Sequence, residues 1–290
     1  GDFVRPALGR GLQMAQRGGA NPFQFGVIGS TDAHTGLSSA EEDNFWGKMA
    51  YDSIPENKGG GALEGTRASG WDMAAAGMAA VWATENTRQG IFDALKRREV
   101  YATTGPRIAL RLFAGWNFAP TDAESPDLAN LGYAAGVPMG GEIAGPAAGE
   151  GGIKLLISAM KDPKGANLDR VQVIKGWVDA DGASREKIFD VAWSGERLPL
   201  PDGSLPPVGN TVDEARASYS DTIGAAQLAA VWEDPEFDPL RSAFYYVRVL
   251  QIPTPRHSLY DAVALKIPPP KQYPTAIQER AYSSPIWYTP

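Results

Sequence analysis

Asp32 and His34 are the residues in this sequence best placed to do chemistry, within Gly29-Ser30-Thr31-Asp32-Ala33-His34-Thr35-Gly36. A carboxylate and an imidazole two residues apart on a loop can turn toward one cation. Both are good ligands for zinc, manganese or iron. The same spacing also suits a loop aspartate that caps backbone amides beside a hydrogen-bonded histidine, and spacing and position leave the two readings even. The only other histidine is His257, in Pro253-Thr254-Pro255-Arg256-His257-Ser258. It could be a further ligand or a general base, but its setting favours an inert loop histidine in a β-rich region. Ser258 beside it suggests a nucleophile, yet no Gly-x-Ser-x-Gly elbow exists in the chain.

Other polar groups are open to two readings each. Arg107 follows the Gly105-Pro106 turn and could aim a guanidinium at an anionic substrate, or pair with a carboxylate at a domain junction. Glu41, Glu42 and Asp43 could line a metal pocket, although a solvated loop is the simpler reading. Glu85 could do the same, although a role at the start of the helix after it is simpler. Trp116, Trp177, Trp193, Trp232 and Trp287 could stack on sugars, but their strand positions suit a core.

The elements that must position these groups change character along the chain. A helix is expected at the start, capped by Asp2, with Val4, Leu8, Leu12 and Ala15 on one face and Gly18-Gly19 ending it. Phe23-Gln24-Phe25-Gly26-Val27-Ile28 is apolar without alternation, the pattern of a strand buried on both faces. Asp32 and His34 would then lie at its C-terminal end, where functional groups collect in α/β folds. A long loop is expected over about 37–80, a length typical of lids and mobile segments. Asn86-Thr87-Arg88-Gln89 opens a second helix, with Ile91, Phe92 and Leu95 as its buried face. Val100-Tyr101-Ala102-Thr103 reads as a short strand.

From Arg107 onward the helical signal nearly vanishes. Strands are expected around 108–113, 153–157, 171–174, 188–193 and 243–250, the last being aromatic and β-branched throughout. Asp179-Ala180-Asp181-Gly182 reads as a hairpin turn. Short strands between Pro/Gly-rich loops suggest a sandwich. The boundary is placed near residue 106, dividing the chain into 1–106 and 107–290.

The 290 residues are 43% hydrophobic, enough for a substantial core. A net charge of −7 without a basic stripe argues against nucleic acid as partner. Cysteine is absent, which removes disulfides, thiolate metal sites and cysteine nucleophiles together. No stretch is apolar enough to span a bilayer. No signal peptide is visible, and the opening residues read as the middle of a domain. Two histidines cannot build an imidazole-rich multinuclear site by themselves.

The run from Phe25 to His34 resembles the last metal-binding motif of the PHP (polymerase and histidinol phosphatase) superfamily, where a strand ends in a Ser-Asp-x-His-like sequence that binds metal. Asn86 to Ile108, with Phe92-Asp93-Ala94-Leu95-Lys96-Arg97-Arg98 and Tyr101-Ala102-Thr103-Thr104-Gly105-Pro106, is similar to the segment downstream of that motif in the carbaryl-hydrolase-type branch. Glu41 to Lys48, Leu205 to Val212 and Ser283 to Tyr288 resemble the C-terminal half of a bacterial domain-of-unknown-function family related to PHP proteins. That likeness covers essentially every residue.

The resemblance implies an α/β barrel holding two or three divalent ions, with Asp32 and His34 among the ligands. The ions would activate water against an ester, commonly a phosphoester, of a small molecule. The expected fold is therefore α/β plus all-β: the C-terminal remnant of a PHP-type barrel, then a β-sandwich-like domain. The remaining ligands, including a His-x-His, would lie before residue 1. The partner is then the missing N-terminal part of the same protein, and this chain alone is expected to be inactive. An exported location, periplasmic or extracellular, is expected, with the cytoplasm as the alternative. The rival function is a non-catalytic accessory β-domain.

Overall fold

The computed structural model describes residues 3–36, 39, 41–60, 68–75, 77–145 and 151–290. The first element is helix α1, Val4–Gln16. Leu8 and Leu12 form its buried stripe, whereas Val4 is half exposed. Gly18, at φ +85°, ends it, and the Gly19 amide donates to the Met14 carbonyl. Asp2, the expected cap, lies outside the described residues.

The expected strand over Phe23–Ile28 does not form. Its backbone bonds to side chains rather than to a neighbouring ladder: Val27 N–H donates to Ser284 Oγ, and Arg98 Nη1 donates to the Gln24 carbonyl. Gly26 lets the segment cross close over Val100 and Ser284, since a Cβ there would lie 2.8 Å from Val100 Cγ2. Ile28 is exposed. An apolar run without alternation does not by itself specify a paired strand.

The described residues form five helices and fourteen strands, most of the strands in two open sheets. In the first sheet, β1 (Met78–Val81) and β2 (Val100–Thr103) make an antiparallel pair joined through helix α3 (Arg88–Lys96). The second sheet contains β3 (Ala109–Gly115), then, after helix α4 (Leu128–Ala135), β4 (Gly136–Pro138), and later β6 (Lys154–Met160) and β9 (Gln227–Glu233). Its order is β4-β3-β6-β9, antiparallel throughout. The first sheet also takes β5 (Glu142–Ala144), β7 (Leu168–Val178), β8 (Ser184–Trp193), β10 (Ala243–Gln251), β13 (Arg280–Ser283) and β14 (Ile286–Thr289). A separate pair joins β11 (Thr254–Pro255) to β12 (Ala276–Ile277).

β10 organises the first sheet. β7 pairs along its whole length on one edge, while β13 and β14 share the other. β13 and β14 behave as one strand interrupted at Ser284-Pro285, where proline has no N–H to give to a ladder. The two serines satisfy the groups the break leaves open: Val247 N–H donates to Ser283 Oγ, and Ser284 Oγ donates to the Val100 carbonyl at 2.6 Å. β2 then pairs with β13, so strands from both 1–106 and 107–290 belong to this sheet.

Period-two alternation on β10 explains the layers. Tyr245, Val247 and Val249 face the second sheet and join Leu110, Leu112, Leu155 and Ile157 in the main core. Phe244 and Tyr246 point the other way, against Leu8, Leu12 and Trp287 under α1. On the far side of the second sheet, Phe113 and Leu156 pack with Phe118 and Leu128 at α4. The order is helix, sheet, sheet, helix. No α/β barrel is formed by the described residues: the sheets are open and, apart from the β14–β5 pair, antiparallel. That corrects the barrel remnant expected over 1–106.

Three further differences concern helices. α3 buries Gly90 and Ala94, leaving Phe92 and Leu95 about half exposed, because its small-residue face lies against the fold. Within the expected Asn86-Thr87-Arg88-Gln89 start its cap is Thr87, whose Oγ1 accepts from Gly90 N–H. Helices α4 and α5 (His257–Leu265) occur where only strands were expected. The expected hairpin turn at 179–182 is present, with Gly182 at φ +80°.

The span expected as a long loop is built rather than bare. It holds single-turn 3₁₀ segments at Glu42–Asn44, Tyr51–Ser53 and Gly70–Asp72, and a short helix α2 (Pro55–Gly60). It is pinned to α5 by a buried ion pair, Lys58 Nζ to Asp261 at 2.8 Å. Lys58 Nζ also donates to the Phe45 carbonyl, and Trp71 Nε1 donates to Asp261. Lys58→Ala should leave the Asp261 charge buried without its cation and cost about 3–5 kcal/mol. Urea unfolding reads that loss, and limited proteolysis should cut within 41–60 sooner than in the parent.

Candidate functional site

The 29–36 turn lies against the open end of the β1–β2 pair. Gly29 makes this approach possible, because a Cβ there would stand 2.6 Å from the Thr103 carbonyl and 2.7 Å from that of Met78. Two hydroxyls shape the turn beyond it: Thr31 Oγ1 accepts from Ala33 N–H, and Ser30 Oγ faces Asp32 N–H. Asp32 takes φ +54°, a left-handed conformation that aspartate tolerates better than most residues.

This conformation brings the Asp32 carbonyl to 2.9 Å from His34 Nδ1. A carbonyl only accepts, so Nδ1 is the donor, and in a neutral imidazole the lone pair then lies on Nε2. Such a bond is how metal-binding imidazoles are usually oriented. The Asp32 carboxylate makes no hydrogen bond or ion pair with the described residues, and both side chains are exposed. The turn therefore fits two positions around a divalent cation. Among the described residues no group of three or more His, Cys, Asp or Glu side chains could hold a metal ion.

Behind the turn is Lys48, buried, with its ammonium bonded to the carbonyls of Thr31 and Ala75. Burial lowers its pKa, and the nearby carboxylates of Asp32, Asp52 and Glu42 oppose that fall. Lys48 thus ties the turn to a cleft of about 920 Å³ that also includes Glu42, Thr104, Arg256 and Glu279.

The floor of this cleft was not legible as a site in the sequence. Glu42 and Glu279 hydrogen-bond through their carboxyl groups, and burial pushes both pKa values up, that of Glu279 to about 8. Glu42 Oε2 accepts from His257 N–H at 2.5 Å, and Glu279 Oε2 accepts from Thr104 Oγ1. Arg256 donates to the carbonyls of Trp71 and Met73 and to Ser258 Oγ. Glu42 is half-buried, whereas Glu41 and Asp43 beside it are exposed.

His257 is buried at the first position of α5, rather than in a loop. Its Nε2 lies 2.9 Å from the Met73 carbonyl and its ring packs 4.5 Å from Phe45. Burial and then the Arg256 charge push its pKa down to about 3, so it is neutral. It stands apart from the Asp32–His34 turn as part of the polar core that anchors 41–73. Ser258 Oγ accepts a guanidinium proton, which suits structure rather than nucleophilic attack.

Arg107 sits on the other side of the acid pair, in a smaller cleft of about 390 Å³. Its guanidinium is 3.9 Å from Asp162 and 4.0 Å from Glu41, and 68% of the side chain is exposed. Glu85 is exposed. The tryptophans are packing groups: Trp287 is buried under α1, and Trp116, Trp177 and Trp232 pack on the main core. Among the described residues no helix is long and apolar enough to cross a membrane.

A family model described as "Protein of unknown function (DUF3604)" matches residues 1–290. No curated protein matches the chain, and no solved structure does.

Two buried titrations set opposite slopes for stability against pH. His257 has its folded pKa held at about 3, below 6.5, so its contribution is full above 6.5 and is lost as pH falls toward 3. Glu279 is raised from 4.5 to about 8, so its contribution is full below 4.5 and is lost as pH rises toward 8. Together these give a plateau near pH 4.5–6.5 with a decline on either side. Urea unfolding across that range and beyond both ends should show it, and Glu279→Gln should flatten the alkaline decline while leaving the acid one.

Proposed function

This chain belongs to the DUF3604 family of proteins of unknown function, and we propose that it forms part of a metal-dependent hydrolase of ester bonds, phosphoesters above all. The observation that carries this reading is the Asp32–His34 turn, where a backbone carbonyl orients the imidazole through Nδ1, beside an exposed carboxylate. Its likeness to the last metal motif of PHP hydrolases supports the same reading.

Asp32 and His34 would hold zinc, manganese or iron, and the further ligands would come from an upstream part of the protein. When bound, the cation would polarise the ester and make water a nucleophile near neutral pH. The chain's own residues do the positioning. Lys48 holds the Thr31 carbonyl, and with it the turn, against the cleft. Gly29 seats that turn on the β1–β2 end.

In the intact protein, Asp32→Ala and His34→Ala should each lower bound metal, measured by elemental analysis. Each should also slow hydrolysis of bis(4-nitrophenyl) phosphate by about 100-fold or more, since even an outer partner is worth up to that much. Metal content unchanged in both variants would defeat the proposal and leave the accessory-domain reading. The 290-residue chain by itself should show no metal-dependent rate above buffer, monitored by release of 4-nitrophenol.

A further inference from the structure

Glu42 and Glu279 come together from the 41–60 segment and the residue before β13, and among the described residues neither forms a close ion pair. Each carboxyl accepts one hydrogen bond from a neighbour, from His257 N–H and from Thr104 Oγ1, and their remaining contact is with each other. Two buried carboxylates in contact repel strongly unless one proton lies between them. The charged groups facing the pair are Arg256 from the turn before α5, Lys58 from α2, Lys48 from the loop before it and Arg280 from β13. Lys58 is already matched by Asp261. The pair opens on the large cleft beside Lys48, and the Lys48 ammonium senses both Asp32 and Glu42.

The second face of the pair lines the smaller cleft, where Gln251 also lies. Gln251 is 1% exposed, its Nε2 has no hydrogen-bond partner, and its backbone N–H donates to the Glu279 carbonyl.

We propose that the Glu42–Glu279 pair is the general acid of the site, giving its shared proton to the leaving oxygen of an ester bound in the large cleft. This rests on the hydrolase reading above. As water's oxygen forms its bond to phosphorus, the bond from phosphorus to the leaving oxygen breaks. That oxygen takes the proton of the pair, and the proton lost by water restores it. Burial keeps Glu279 protonated up to about pH 8, so the acid is available at neutral pH.

The test compares two phosphodiesters in the intact, metal-loaded protein, one with 4-nitrophenol and one with methanol as leaving group. Methoxide needs a proton to depart and 4-nitrophenolate does not. Glu279→Gln keeps the hydrogen-bond geometry but has no proton to give. With metal content unchanged, it should lose about 100-fold in kcat on the methyl ester and only a few-fold on the nitrophenyl ester. Equal losses on both, or none, would overturn the assignment while leaving the metal reading standing. Absence of hydrolysis by the wild-type protein would overturn that reading and the assignment with it. If Glu279→Gln does not fold, Glu42→Gln serves. Removing the neighbouring carboxylate should let Glu279 ionise at lower pH, moving the alkaline limb of the methyl-ester kcat profile downward, and an unmoved limb would sink the idea.

Discussion

With β7 along one edge of β10 and β13–β14 along the other, every part of that strand is committed on four sides. Its two faces are covered as well, by the second sheet and by α1. A strand so enclosed must be apolar on both faces and hydrogen-bonded along both edges. The register it imposes runs outward through β13 to β2 and β1, and the Asp32–His34 turn rests on the open end of those two strands. The break at Ser284-Pro285 belongs to the same constraint. It lets one strand serve two neighbours, and it supplies the serine that holds the 23–28 crossing in place.

The cleft depends on a different kind of bond. Residues 41–60 and 68–73 bury Phe45 and Trp71, and charges and amides hold them as well: Lys58 on Asp261, Arg256 on two carbonyls, His257 on a third. Buried polar networks are stable only when their members are paired. Here the pairing extends across the floor of the cleft, and the acid pair sits where the segment, α5 and β13 meet. The groups that hold the segment down and the groups that could do chemistry are therefore neighbours.

The proposed chemistry divides between two places with opposite environments. The Asp32–His34 turn is exposed and lightly bonded, as ligands awaiting a cation must be. Glu279 is buried and Glu42 half-buried against it, which is what keeps a carboxylic acid protonated near neutral pH. Lys48, between them, faces carboxylates of both.

How much of this was legible in the sequence depends on how local each signal is. The β10 run, the β2 and β3 strands, the 179–182 turn and the start of α3 were readable, because propensity and alternation act within a few residues. α5 was not, since its buried face carries His257, Ser258 and Asp261 and so lacks a hydrophobic period. The 23–28 run was legible as apolar but not as a crossing, because its hydrogen bonds go to Ser284 and Arg98 side chains. Asp32 and His34 stand two residues apart, so the sequence by itself determined them as candidates, and the tertiary structure added the carbonyl that orients the imidazole. The Glu42–Glu279 pair had no linear signature at all. Only the folding of the 41–60 segment onto the strand just after Glu279 brings those two carboxyls into contact, and only burial there raises both pKa values.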